Sequence, residues 1–307
     1  MMLYNTSINF DVHYRYNYWQ KIIMDYLTIS TCQSPNMDFF THDLAGYISK
    51  RLTIPVKVEL DIPWQERQRR LDAGEIDVCW ICGLPYIRKV AKPSPVIELL
   101  AAPVTQGQRY QDRPIYFSDV VVRDASPYQT LEDLRGTTWA YNEPGSHSGY
   151  NVVRYALAMR NEISGFFGRV IESGAHQVSL QMILKGEVDA SAIDSTVLEQ
   201  ELKDDPSIRG RIRIIDTFGP SPIPPWVISK NTRPDWQSAL RQLFLGMHRN
   251  LAGKAILDRA NMIRFTTIED ADYNPIRTMT RKGRGVCLKI NPLELLDPCI
   301  NEESTGI

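Results

Sequence analysis

The chain contains no run of about 18 apolar residues, so no helix in it is built to cross a bilayer. It has no charge excess either: 35 Lys+Arg stand against 36 Asp+Glu, a formal net charge of -1. Nucleic-acid binding through bulk positive charge is therefore disfavoured. No Walker loop, HExxH, GxSxG or GxGxxG occurs, and no carboxylate pair or Ser/His/Asp set has a spacing that demands catalysis. Residues 1–26 lack the basic start, continuous apolar stretch and small-residue cleavage site of a secretory leader, so the sequence itself does not support export. Cysteine is scarce: the five, Cys32, Cys79, Cys82, Cys287 and Cys299, are odd in number and scattered, unlike a disulfide-stapled small domain.

What is present is a globular composition, 307 residues with 43% hydrophobic and 23% charged, enough for one large or two ordinary domains. From Leu27 the pattern is regular. LTISTC reads as a strand, SPNM as a turn, and FFTHDLAGYISKRL as an amphipathic helix with Phe40, Leu44, Tyr47 and Ile48 on one side. PVKVELDI follows as a strand, PWQERQRRLDAGEI as a helix opened by Pro63 and stopped near Gly74, and DVCWICG as a strand apolar on both faces. This β-α-β-α-β order implies a parallel sheet with crossover helices.

VIELLAAPV and IYFSDVVVR are two further strands, after which the β/α alternation repeats between about Val122 and Asp216. GPSPIPPWVISK is too rich in proline for helix and reads as a rigid crossing back to the first unit. Two amphipathic helices close the fold. The expected organisation is α/β with two lobes, residues 27–121 with 218–280 and residues 122–217, each a mainly parallel sheet flanked by helices and joined by two hinge crossings. Residues 1–26 and 281–307 are expected to be peripheral. Ligands in such folds bind beyond the carboxyl ends of the strands, between the lobes, with hinge closure around them.

Several constellations could carry chemistry. Cys79 and Cys82 form a CxxC, but inside a strand their Cα atoms would be roughly 10 Å apart on opposite faces, beyond the roughly 7 Å limit for a disulfide. They read as buried small apolar residues, and no metal site is expected. In NEPGSHSGY a strand end turns into a helix start, where free N–H groups, the helix dipole and the hydroxyls of Ser146 and Ser148 make a cradle for a small oxyanion; the plainer reading is a serine N-cap. Ser34-Pro35-Asn36 makes the same kind of start in the first lobe. His176 sits where another strand meets a helix, and a lone histidine is most often structural. Asp194 ends a third strand: it can cap the next helix, and it can also accept a hydrogen bond from a ligand that keeps a P–OH proton. Tyr86, in GLPY, could deliver a hydroxyl to the crevice, with Trp64 and Tyr141 as aromatic walls.

The motifs DAGEIDVCWICGLPY, YFSDVVVR, LEDLRGTTWAYNEPGSHSGY, ESGAHQVSLQMILKGEVDASAIDS and GPSPIPPWVISK, in this order, resemble the phosphate/phosphite/phosphonate-binding proteins of ABC importers. The resemblance covers about Glu66 to Met279. It implies a type II periplasmic-binding-protein fold and a non-enzymatic, cofactor-free monomer that captures a small phosphorus oxyanion and passes it to ABC permease and ATPase subunits. It implies that Ser146, His147 and Ser148 grip the phosphoryl oxygens, that His176, Asp194 and Tyr86 line the same site, and that Ser34 and Asn36 supply first-lobe contacts. By resemblance the location is periplasmic, although no leader is visible. The alternative readings are a cytoplasmic ligand sensor and an enzyme on the same fold, of the thiamine-pyrimidine biosynthesis kind.

Overall fold

A computed structural model describes residues 26–288; the first 25 residues and residues 289–307, which hold most of both segments expected to be peripheral, lie outside the described residues. Along the chain, β1 (Leu27–Thr31) leads to α1 (Asp38–Leu52), β2 (Val56–Val58), α2 (Trp64–Asp72), β3 (Val78–Trp80), α3 (Gly83–Val90) and β4 (Ile97–Thr105). The path then enters a second sheet through β5 (Ile115–Arg123), β6 (Thr138–Tyr141), α4 (Val152–Ala158), β7 (Arg169–Glu172), α5 (His176–Lys185), β8 (Ala190–Asp194), α6 (Ser195–Asp204) and β9 (Ile212–Pro222). It returns through β10 (Trp226–Ser229), α7 (Pro234–Gly246), α8 (Leu251–Arg259), β11 (Met262–Thr266) and α9 (Asn274–Gly283).

Local sequence explains these elements. Phe40, Leu44, Tyr47 and Ile48 recur at helical spacing and are all buried on one face of α1. Pro63 precedes α2, and Gly74, at φ +69, ends the turn after it, a backbone region that favours glycine. One core packs Leu27, Ile29 and Phe40 around Trp80 and Trp226, whose rings stack at 5.5 Å. The second packs Val120, Val153 and Leu157 around Trp139 and Phe167, stacked at 4.4 Å. Each large apolar side chain so buried contributes roughly 1.5–3 kcal/mol against the cost of ordering it.

The α/β architecture of two helix-flanked sheets is as expected, but the sheets are mixed rather than mainly parallel. The first has the order β11-β4-β10-β3-β1-β2 and the second β7-β6-β8-β5-β9. Only β1 with β2 and β3, and β6 with β7 and β8, pair in parallel; β5, β10 and β11 pair antiparallel with their neighbours. For β5 and β10 the cause is the crossing, since a strand that arrives from the other sheet enters from the opposite end; β11 follows β10 through two helices and runs in the same direction as it. The proline-rich segment is also more than a crossing, since β9 runs through Pro222 and Trp226–Ser229 is a central strand between β3 and β4. Both expected boundaries, at 121/122 and 217/218, fall within strands, β5 and β9.

Two further expectations are corrected. The CxxC is not enclosed in a strand: β3 ends at Trp80, and Cys82 is the N-cap of α3. Cys79 is buried with its Sγ 4.0 Å from that of Cys32, and Cys32, Cys79 and Cys82 are free thiols. Residues 281–288 are not peripheral. Val286 and Leu288 are buried in the second core, and Arg154 donates to the carbonyls of Arg284 and Val286. Cys287 is disulfide-bonded.

Candidate functional site

The parallel strands β1 and β3 of one sheet and β6, β7 and β8 of the other end where the two units meet. After β6 the chain turns through Asn142 and Glu143 into a π-helical turn, His147–Asn151, that runs on into α4. Ser146 caps it by accepting the Gly149 N–H at 3.1 Å. The His147 N–H donates to Cys82 Sγ, at the start of α3 in the first unit, at 3.4 Å, so two of the first-turn donors are already engaged. Ser118, on β5, donates to the Ser148 carbonyl at 2.6 Å and pins the turn to the sheet.

Ser146, His147, Ser148, His176 and Asp194 come together here, each no more than 5% exposed. Ser146 Oγ lies 3.5 Å from Ser148 Oγ, which is 2.9 Å from His176 Nε2. Burial keeps His176 neutral, its pKa pulled down to about 4, and His147 likewise, down to about 3. Asp194 caps α6, accepting from Thr196 N at 2.8 Å and Thr196 Oγ1 at 2.7 Å, while burial pushes its carboxyl up to about 6. Glu143 is pushed up to about 7 by burial and by the neighbouring Glu172. Among the described residues no Lys or Arg hydrogen-bonds to these groups. The site thus offers neutral donors, one helix start and carboxyls poised to hold protons near neutral pH.

Two buried polar atoms on residues around the serines, His176 Nδ1 and Asn142 Oδ1, have no partner among the described residues, and a third, Tyr116 Oη, has only a loose contact with Ser148. Gly149 makes the approach of Asn142 and His176 possible, because a Cβ there would collide with Asn142 Oδ1 and stand 3.1 Å from His176 Cε1. Buried polar groups left unpaired cost roughly 1–3 kcal/mol each, so these groups carry an unmet demand for hydrogen-bonding partners.

Asn142 and Tyr116 were not anticipated from sequence. Tyr116 and Ser118 lie on one face of β5 by their spacing of two, which is the signal that could have found the tyrosine.

The other expected residues are placed differently. Tyr86 lies in the first turns of α3; its hydroxyl donates to Asp270 at 2.9 Å and its ring packs on Tyr273 at 4.6 Å, among first-unit residues. Asn36 reaches across the crevice, its amide donating to the Val197 carbonyl at 3.3 Å and to Glu201 at 2.9 Å on α6. Ser34 is the N-cap of a short 3-10 turn, and its side chain makes no capping bond. Trp64 comes near the Glu143–Gly145 turn, whereas Tyr141 is fully buried and donates to Glu172 at 3.0 Å. Among the described residues no cluster of His, Cys, Asp and Glu could hold a metal ion, and no helix is long and apolar enough to cross a membrane.

Comparison with known proteins gives a consistent result. A family model described as ABC transporter, phosphonate, periplasmic substrate-binding protein matches residues 28–273. The phosphonates-binding periplasmic protein of Escherichia coli (strain K12) is 23% identical over 211 residues; the match spans 67% of this chain and 60% of that relative's length. The binding protein component of an ABC phosphonate transporter from Pseudomonas aeruginosa superposes with a TM-score of 0.75 at 20% identity, covering 85% of this chain and 87% of that one. A Prochlorococcus marinus (MIT 9301) protein in complex with methylphosphonate superposes with a TM-score of 0.72 at 20% identity, covering 85% and 99%. The structural likenesses bear on the fold alone.

Proposed function

Because the chain belongs to the phosphonate family of periplasmic substrate-binding proteins of ABC transporters, we propose that it captures a small phosphorus oxyanion (phosphate, phosphite or a phosphonate) in the Ser146–Ser148 cradle and presents it to an ABC permease and its ATPase subunits from the periplasmic side. In this reading residues 27–121 with 218–280 and residues 122–217 act as two lobes that close on the ligand. The observation that carries it is a helix start whose two serine hydroxyls meet each other and His176, with buried polar atoms left unpartnered on His176 and on Asn142 beside it.

The charge balance favours protonatable phosphorus oxyanions over sulfate. Asp194, with its pKa near 6, can accept from a P–OH group, whereas an anion without such a proton meets a carboxylate and, among the described residues, no Lys or Arg bonded to it. The reading is of a binder rather than an enzyme. Ser148 and His176 form a serine–histidine pair, but no described residue holds the His176 Nδ1 as the orienting partner of a nucleophile–base pair would.

A thermal-shift panel with phosphate, phosphite, methylphosphonate, aminoethylphosphonate and sulfate tests it. Ligand at about 100 times its Kd adds roughly 2.7 kcal/mol, a shift of a few degrees. Stabilisation by phosphorus oxyanions and not by sulfate is expected; no shift with any of them would refute the proposal.

A further inference from the structure

His147 is the least available of the cradle residues. Its Nδ1 lies 3.0 Å from Asn151 Nδ2, and its Nε2 lies 2.9 Å from Ser221 Oγ. All three side chains are nine-tenths buried or more. The carboxamide nitrogen of Asn151 can only donate, so Nδ1 is an acceptor and the ring proton of the neutral imidazole resides on Nε2. Nε2–H therefore donates to Ser221 Oγ and occupies one of its lone pairs. The Ser221 hydroxyl proton cannot point back at the imidazole, and among the described residues no acceptor takes it.

Ser221 is on β9, the strand that leads back to the first sheet, and stands directly opposite Tyr116 on β5 in the ladder. Tyr116 Oη is held only by its loose contact with Ser148, and its ring centroid is 6.3 Å from that of His147. The serine hydroxyl thus belongs to the crossing strands and faces the same point as the helix start.

We infer that Ser221 is a further ligand-binding donor and that His147 is a positioning residue, which fixes the direction of the Ser221 hydroxyl proton and does not hold the ligand through its ring. The inference rests on the oxyanion-binding reading and extends it. Asp194 accepts a hydrogen bond from the ligand and the Ser221 hydroxyl proton is free to donate one, so the site recognises an oxyanion with a bare oxygen toward β9 and a protonated one toward β8.

Calorimetric titration of the full chain with phosphate, phosphite and methylphosphonate tests this. Ser221→Ala should weaken the best of these probes about tenfold or more, the size of one hydrogen bond to a charged group. His147→Leu should weaken it by a similar factor, and the two changes together should cost no more than either alone. His147→Gln places a carboxamide N–H near the Nε2 position and should restore most of the affinity lost in His147→Leu.

Long-range proton–nitrogen NMR of the wild-type chain provides a reading that needs no folded variant: His147 should be the Nε2–H tautomer, and the Nδ1–H tautomer would overturn the inference. So would wild-type affinity in Ser221→Ala, or losses that add in the double variant. If the wild-type chain binds none of the probes, the cradle reading falls and this one with it. If it binds while Ser221→Ala is unaffected, only this one falls.

Discussion

At the end of β6 the chain enters a helix through Ser146, His147 and Ser148, all buried, with their side chains bonded to one another, to His176 and to the β9 strand. At the end of β1 it does so through Ser34, Pro35 and Asn36, where the serine caps nothing and the asparagine spends its amide on α6 of the other unit. Both segments look like helix starts that could hold an anion. The difference is that only at the first does the surrounding chain also deliver side-chain donors, which is what an anion grip requires. β5, β7, β8 and β9 all bring polar groups to the first of these places. The second start has the backbone geometry without that company, and its polar side chain bridges the units instead. Under the proposed function, ligand capture falls to the richer end and closure to the other.

The sharpest way to break this comparison is to remove the hydroxyls from the rich end. Ser146→Ala with Ser148→Ala should cost roughly 1.5–3 kcal/mol of binding for each charged hydrogen bond lost, at least about a hundredfold in Kd for the pair. Loss of the Ser146 cap should lower stability by only about 1 kcal/mol. Calorimetry against urea unfolding separates the two. Wild-type affinity in a folded double variant would place the grip elsewhere.

Asp194 sharpens the comparison through pH, because the grip is where ionisable groups are buried. Burial raises its folded pKa to about 6 from the ordinary 3.8, so the folded chain holds the proton more tightly than the unfolded one. The penalty for ionising it is absent below about pH 4, grows as pH rises, and is complete above about pH 6, amounting to about 3 kcal/mol. Asp194→Asn keeps a capping oxygen and removes that penalty. Relative to the wild type, the variant should therefore gain stability between pH 4.5 and pH 7.5 by an amount of that order. Parallel urea transitions at the two values check the sign: a difference independent of pH would mean that Asp194 does not titrate in this range.

How much of this was legible from sequence follows the same division. The apolar periodicity of α1, the buried run of β1 and the β/α alternation of the second unit announce themselves, because hydrophobic burial leaves a period. The serines, His176 and Asp194 were legible because each stands where a strand pattern gives way to a helix pattern. Mixed strand directions were not, since no local pattern records the direction from which β10 enters a sheet. Prolines 220, 222, 224 and 225 also hid structure. Pro220 and Pro222 are tolerated because β9 is an edge strand of its sheet, and Trp226–Ser229, free of proline, could then lie in the centre of the other. Tyr116, Asn142, Asn151 and Ser221 were missed because their role depends on which groups they face, and facing is a property of the assembled sheets. Tyr86 shows the converse: it stands at a strand-to-helix junction as expected, but Asp270 and Tyr273, far along the chain, hold its hydroxyl and its ring.

The poor end of the comparison yields the smallest effects, and they separate closure from grip. Asn36 donates one hydrogen bond to a carboxylate and one to a carbonyl, both on α6. In Asn36→Ala these exist in neither the open nor the closed state, so the closed state loses about 1 kcal/mol relative to the open one. A binding-competent state that is less populated lowers apparent affinity by the same factor, about fivefold, for every ligand alike. Ser34→Ala removes a hydroxyl that makes no capping bond and should change affinity by less than about 0.5 kcal/mol. The decisive measurement is selectivity rather than affinity. If Asn36 serves closure, the ratio of phosphate to methylphosphonate affinity in Asn36→Ala equals that of the wild type, because both ligands draw on the same closing equilibrium. A changed ratio would mean that Asn36 contacts the ligand, and that the two helix starts share the grip after all.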